Sequence, residues 1–352
     1  MVEDLIEEFG IRVNLTERVE AEGLRDGSRV YLAKLPHGTR VYILDTPEIR
    51  EIACHPHIVG EEFARLNLEA AKEAAKALTS LTPLGDAGRD EVVFQHVLRA
   101  APGYRLHEAL REMGLGFREV WVRPRYVTPS YRDHDEDASK RLVIVYEDFA
   151  GLPEGGEVIV VKPDTEASGR TAVKSLERLK EAAEERGTRL HTLIIYGFIS
   201  EYGLRVVDQY ARSIGFKETY FLAAGNITAL CRNLYDMPLY GPDESHYQET
   251  GKIRLISGIV DQETLADYLP EFIPGADQPG DWSARQTSVY TGQGYEPGGI
   301  EKHLRNSITL LESLWKLSKG QPWFREFHRE ALRRELQALE ETLRRYTDQI
   351  RG

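Results

Sequence analysis

Cysteine is nearly absent from this 352-residue chain, which carries only Cys54 and Cys231, far apart and without C-x-x-C spacing. That scarcity argues against a disulfide framework or a zinc-finger site and fits a cytoplasmic protein whose thiols are small buried residues. No basic block occurs and the formal net charge is −12, so the chain offers no footprint for nucleic acid. The amino-terminal MVEDLIEEFG is acidic, with no apolar signal region, and no run approaches the length of a membrane span. No membrane partner is expected. Internal repeats and low-complexity tracts are missing. So are the G-x-G-x-x-G fingerprint and the lysine and glycine spacing of a Walker loop, which excludes two familiar nucleotide-binding turns.

What is present is ample core material: 41% hydrophobic residues, with 17 Tyr, 11 Phe and 4 Trp, enough for one large domain with additions or for two. Residues 1–60 alternate short strand-like runs (RVYLAKL, TRVYILDT) with turns and predict a small β-rich, antiparallel appendage. A helix is predicted over 60–81, then a strand over 92–100, a helix over 103–114 and a strand over 117–127. Residues 128–141 have the composition of a charged surface loop. Further on, RLVIVYEDF, EVIVVKP, LHTLIIYGF and ETYFLAA read as strands, with helices at 172–187 and in SEYGLRVVDQYARSIG. Strands alternating with helices at this spacing indicate a parallel α/β sheet. Residues 225–257 look irregular, and from 299 the pattern turns helical. There Leu332, Leu336, Leu339 and Leu343 form an apolar stripe, either a core seam or the seam of a homodimer. The divisions are therefore 1–60, 61–298 and 299–352.

The most informative stretch is 158–171, VIVVKPDTEASGRT. Its unbroken β-branched run reads as a strand buried on both faces, followed at once by a helical pattern. A turn between a strand's carboxyl end and a helix's amino end suits a phosphate group, because free N–H groups and the helix dipole point outward there. Thr165, Glu166, Ala167, Ser168, Gly169, Arg170 and Thr171 would form the cradle. Ser168 and Thr171 can add hydroxyl donors and Gly169 can let a ligand approach, while Asp164 and Glu166 can accept from sugar hydroxyls. An ordinary βα turn with a Ser-Gly cap explains the same residues.

This stretch resembles the ribose-phosphate loop of phosphoribosyltransferases: a hydrophobic strand, acidic residues, then T/S-G-x-T/S. Upstream, VVFQHVLRAAPGYRLHEAL resembles the R-A-G-L diphosphate loop of uracil phosphoribosyltransferases, with Arg99 as the arginine and Ala100 and Ala101 after it. FREVWVRPRYVTPSYRDHD is similar to the family's next strand and closing hairpin, and Arg123 stands where the family has an arginine on the diphosphate. Downstream, the segment around IPGADQPGD resembles the base-recognition loop P-G-L-G-D-A-G-D-R and brings in Ile273, Pro274, Gly275, Asp277, Gly280 and Asp281. The resemblance spans roughly residues 60–290.

Its implications are specific. The fold would be α/β, with a central mostly parallel sheet of the phosphoribosyltransferase type, a β-rich N-terminal addition and a helical C-terminal extension. The activity would be transfer of a phosphoribosyl group from 5-phosphoribosyl 1-diphosphate to a uracil-like base, in a pyrimidine-salvage setting. Mg²⁺ would be carried largely by substrate oxygens, without a dedicated protein metal site. Asp164, Asp281 and Arg99 would be catalytic, and the partners would be small molecules and a second copy of the chain. The sequence departs from the family where Pro163 replaces the first acidic residue, Arg170 a small residue, Gln278 an Asp and Trp282 the closing Arg. These changes, with the apparent insertion at 226–257, leave open a non-catalytic sensor or structural protein, or a transferase for another base.

Other groups read more simply. His96, inside a strand, fits a hydrogen-bonded core residue. Asp133, His134, Asp135, Glu136 and Asp137 read as a solvated loop. Cys54-His55-Pro56-His57 could bind a metal only with ligands from elsewhere, and the sequence shows no partner pair. Trp315, Trp323 and Phe327 read as packing anchors, and Trp282 as either a packing residue or a stacking face for a base.

Overall fold

The computed structural model describes residues 2–35, 39–127 and 141–351. The expected charged-loop residues 133–137 lie outside this set. The first segments are α1 (Val2–Phe9), β1 (Thr16–Val19), β2 (Arg29–Ala33), β3 (Arg40–Asp45), α2 (Pro47–Cys54) and α3 (Gly60–Leu81). The centre contains β4 (Val92–Val97), α4 (Leu106–Glu112), β5 (Arg118–Val127), β6 (Arg141–Asp148), β7 (Glu157–Pro163), α5 (Arg170–Glu185), β8 (Arg189–Ser200), α6 (Glu201–Ser213) and β9 (Glu218–Thr228). Among the described residues these strands make one nine-stranded sheet, in the order β1-β2-β3-β9-β8-β7-β4-β5-β6. Pairings from β3 through β9, β8, β7 and β4 to β5 are all parallel, and only the β1–β2, β2–β3 and β5–β6 ladders are antiparallel.

The fold is thus α/β with a mostly parallel central sheet. Residues 16–45, read as a separate antiparallel addition, supply strands at one edge of that same sheet, because β3 pairs with β9. Two helices inside 1–60 escaped the strand-like reading. One of them, α2, has Thr46 as its cap, accepting from the Ile49 N–H, and Pro47 at its first position.

Alternation along the strands explains why helices cover both faces. Val158 and Val160 of β7, Leu193 and Ile195 of β8, and Phe221 and Ala223 of β9 pack with α5 and α6 on one face. Val161, Ile194, Tyr196, Phe198, Leu222 and Ala224 point to the other, against α2, α3 and the C-terminal helices. Each buried aliphatic side chain contributes on the order of 1.5–3 kcal/mol.

Beyond β9 the chain forms β10 (Tyr240–Pro242), α7 (Glu244–Thr250), β11 (Leu255–Ser257) and α8 (Gln262–Tyr268), so the segment read as irregular holds a two-stranded ladder around a short helix. After the hairpin of β12 (Ser288–Tyr290) and β13 (Tyr295–Pro297) come α9 (Ile300–Ser318) and α10 (Glu326–Arg351). Leu332 and Leu339 are fully buried, and Leu336 and Leu343 pack on the same core. The stripe that suggested a homodimer is therefore a seam within one chain.

His328 of α10 lies in this seam. Its Nδ1 accepts from the Arg325 N–H at 3.3 Å, leaving its Nε2 for the Tyr240 hydroxyl at 3.3 Å. Both contacts suit a neutral ring. Burial first, and the Arg325 cation second, push its pKa down to about 3. A folded-state pKa below the unfolded value means stability present above about pH 6.5 and lost as pH falls towards 3. In denaturant unfolding across that window, His328→Gln should flatten the pH dependence by about 1.4 kcal/mol per pH unit relative to the parent. Parallel pH profiles for the two proteins would contradict this assignment.

Candidate functional site

The chain leaves β4 through α4 to β5 on one side, and later returns to β7 on the other side of β4. Strand order reverses here, and in open α/β sheets ligands bind outside the strands' carboxyl ends at such a point. The loops leaving β4 and β7 line a cavity of about 890 Å³. One wall is Asp164–Thr171, a second is Leu98–Ala100, and a third is Pro279–Ser283. Asn233, Leu234 and Tyr235, from the segment read as an insertion, join the lining, as do Val97 and Tyr126.

The Asp164–Thr171 wall is fixed by backbone bonds to β8. The Asp164 N–H donates to Tyr196 O at 3.0 Å, Glu166 N–H to Phe198 O at 2.8 Å, and Ser200 N–H to Glu166 O at 3.0 Å. Gly203 of α6 lets the helix approach, since a Cβ there would lie 2.4 Å from Glu166 O and 2.6 Å from Ala167 O. Helix α5 then starts at Arg170 with Gly169 (φ 72°) as its cap and no capping side chain. The first-turn N–H groups are without intrahelical partners, and the helix dipole favours an anion there. Ser168 and Thr171 line the cavity, and their side-chain hydroxyls make no hydrogen bond among the described residues. Arg170 is exposed and lines the cavity beside them.

Beneath this loop lies a buried charge cluster. The Lys162 ammonium, fully buried, donates to Asp164 Oδ2 at 2.8 Å and to Glu166 Oε1 at 2.5 Å. Burial alone would lower the Lys162 pKa, but the two carboxylates outweigh it and hold the value above its ordinary range. Burial pushes the Glu166 carboxyl up, against the pull of Lys162. Asp164 Oδ1 accepts from the Thr165 N–H at 2.9 Å. Lys162 thus holds one oxygen of each acid, and both residues also line the cavity.

At the other end of the cavity Arg99 reaches a second hollow of about 430 Å³, also lined by Arg123 and Arg125. Glu296 is the carboxylate lining it, 3.5 Å from Arg99 and 3.9 Å from Arg123. Among the described residues, three guanidinium groups against one carboxylate leave two positive charges in surplus. Burial, with Arg99 and Arg125 beside it, lowers the Arg123 pKa despite Glu296. An otherwise acidic chain thus carries a local excess of positive charge here among its described residues.

No family model matches the chain, and no curated protein matches it. Among solved structures it is similar to the AQ2163 protein from Aquifex aeolicus, at 18% identity and TM-score 0.38, over 55% of this chain and 91% of that one. Adenine phosphoribosyltransferase from Trypanosoma brucei, in complex with AMP, pyrophosphate and ribose-5-phosphate, aligns at 11% identity and TM-score 0.32, over 52% of this chain and 82% of that one. Adenine phosphoribosyltransferase from Thermoanaerobacter pseudethanolicus aligns at 14% identity and TM-score 0.28, over 62% of this chain and 99% of that one. At these scores the function has to be read from the site itself.

Of the residues singled out from sequence, Arg99, Ala100, Asp164–Thr171, Gly280 and Asp281 meet around the cavity, with Arg123 in the adjoining hollow. Ala101 is buried instead against Val97 and Val122. Ile273 and Pro274 are buried, and Gly275 is wedged against Pro242 and Leu314, its N–H on Tyr240 O at 2.8 Å. Asp277 turns away to accept from the Met237 N–H at 2.7 Å. A Cβ on Gly169 would meet Val206 and Val207 at 3.1 Å, so this glycine serves the packing of α6 rather than ligand approach. His96 is a core residue, stacked on Trp121 at 3.7 Å and bonded to Glu119 at 2.9 Å.

Three features escaped the sequence reading. Lys162 is one, although Lys162, Asp164 and Glu166 alternate along extended chain and so share a face. Tyr104 is another: it bonds Thr165 Oγ1 at 2.6 Å and stacks on Trp282 at 4.2 Å, tying two walls together. Trp282 is only 4% exposed, and Phe63 at 4.8 Å adds to its packing. Tyr235, 53% exposed, is the third, on the cavity wall, where Tyr126, 45% exposed, also offers an aromatic face. Lys162→Met should destabilise the protein by about 3–5 kcal/mol, because it leaves buried charge uncompensated. Adding Asp164→Asn and Glu166→Gln should restore most of the loss in denaturant unfolding. A single variant as stable as the parent would refute the ion cluster.

Proposed function

We propose that the chain is a phosphoribosyltransferase, of that family's fold type, moving a phosphoribosyl group from 5-phosphoribosyl 1-diphosphate to a nucleobase of the uracil kind. The observation that carries this reading is the pairing of two anion sites across one cavity. The uncapped start of α5 beside Ser168 and Thr171 suits the 5-phosphate, and the surplus of Arg99, Arg123 and Arg125 suits the diphosphate. A planar base between them can stack on the free face of Tyr235.

The residues' work is positioning and charge stabilisation. Arg99 and Arg123 donate to the departing diphosphate as negative charge grows on it, and the α5 amides fix the sugar by its phosphate. Asp281, outside the Lys162 cluster, is the carboxylate placed to face the positive charge developing on the ribose. An oxygen donor of this kind fits a hard cation, so Asp281 would hold Mg²⁺ together with substrate oxygens. When bound, that ion would neutralise the diphosphate. A second reading, a non-catalytic ribose-phosphate sensor, is favoured by one observation: Lys162 occupies both acids of the phosphate loop.

A diphosphate-release assay with the ribosyl donor, Mg²⁺ and a panel of bases separates the two. The enzyme reading expects release with one base, and a drop in kcat/KM of about 10- to 100-fold for Arg99→Gln, the worth of a charge-assisted hydrogen bond of roughly 1.5–3 kcal/mol. Donor binding without release for any base favours the sensor.

A further inference from the structure

We propose that His55, His57 and Glu335 form a binding site for a divalent transition metal of the zinc type, joining the α2–α3 turn to α10. The three donors come from distant parts of the chain, and one donor atom of each lies within 4.8 Å of the others. Glu335, only 3% exposed, has Oε2 at 2.9 Å from His55 Nδ1, and its two oxygens at 2.8 and 2.9 Å from His57 Nδ1. Glu335 is the ligand from elsewhere that the Cys54–His57 segment lacked.

Counting protons gives the first reason. His55 meets a carboxylate at each ring nitrogen, Glu335 at Nδ1 and Glu271 at Nε2, the latter at 3.0 Å. Without a metal the ring can donate to both carboxylates only as an imidazolium, since a neutral ring has one N–H. A metal cation at the Nδ1 side takes the place of that second proton: Nε2–H donates to Glu271 while Nδ1 and Glu335 both turn to the metal. A carboxylate behind the far nitrogen of a ligating histidine is the usual outer support of such sites. Two neutral imidazoles, two carboxylates and a divalent ion also sum to zero charge.

Rigidity gives the second. The backbone carrying both histidines is clamped by Arg285, which donates to Ile52 O at 3.1 Å, His55 O at 2.9 Å and Ile58 O at 3.0 Å. The His303 ring bonds Pro56 O at 2.8 Å, and the His57 N–H is tied to Glu335 Oε1 at 3.0 Å. A donor set of two nitrogens and a carboxylate suits zinc-like ions better than Mg²⁺. Tetrahedral donors lie about 3.3 Å apart, as Zn–N and Zn–O bonds of about 2.0–2.1 Å require, so the Glu335 contacts open slightly on binding and any donor pair near the 4.8 Å limit closes. A fourth position would face solvent beside His57, whose side chain is 29% exposed. Because Ser283, two residues before Arg285, lines the cavity, the metal would also brace a wall of the candidate active site.

The test uses the full chain, stripped with a chelator near neutral pH and then given zinc chloride. After desalting, elemental analysis should find one zinc per chain, and zinc should raise the Tm. Glu335→Gln and His57→Ala should each lose at least tenfold in zinc affinity, and Glu271→Gln about 10–100-fold. Cobalt substitution of the parent needs no variant and should give visible d–d bands without thiolate charge-transfer absorption. Zinc retention no greater than in a His55→Ala/His57→Ala variant, a colourless cobalt form, or thiolate bands would each overturn the proposal.

Discussion

One buried cation organises the candidate site. Lys162, at the end of β7, holds Asp164 and Glu166 where neither acid could otherwise stay ionised away from water. The cluster fixes the side chains on either side of Thr165 and so sets the path of the chain into α5. With that path set, the first-turn amides of α5, Ser168 and Thr171 face a common space. The same cluster engages one oxygen of each carboxylate that the resemblance would give to a sugar. Beside them the loop presents backbone amides, hydroxyls and the helix dipole.

A second buried cation does comparable work on the opposite wall. The Arg285 guanidinium is fully buried, lies 4.6 Å above the Phe63 ring, and donates to backbone carbonyls of the α2–α3 turn and to Pro279 O. Burial is the main cause that brings its pKa down to about 9, and among the described residues its hydrogen bonds go to backbone carbonyls. Five N–H donors in a planar fork suit such a set of carbonyls, as a lysine would not. Through this residue the loop 279–283 is anchored to the amino-terminal half, and Trp282 is held against Phe63 and Tyr104. The two walls then meet through Tyr104, which touches both.

Much of this was legible in the sequence because local pattern and final burial agree. The VIVV run of β7 is buried on both faces, and the helical periods of α3, α5, α6, α9 and α10 match their packed sides. The Asp164–Thr171 wall of the cavity could be read for the same reason, since strand, turn and helix are contiguous there. What could not be read depends on distant partners. Ile273–Gly275 match a base-loop pattern but are drawn into the core by Tyr240 and Leu314, far away in sequence. The Leu332–Leu343 stripe reads equally well as a dimer seam until the core that covers it is seen. Gly169 illustrates a subtler failure: its need for a positive φ is visible in the motif, while the α6 side chains that occupy its open side are not.

The central claim is that the start of α5 is a phosphate cradle, and it is most directly tested by a crystal structure with ribose 5-phosphate. The account predicts the phosphate oxygens within hydrogen-bond distance of the backbone N–H groups of residues 169–171 and of the Ser168 and Thr171 hydroxyls, with the Lys162 cluster unchanged beneath. A phosphate bound elsewhere, or a turn left without one at saturating ligand, would contradict it.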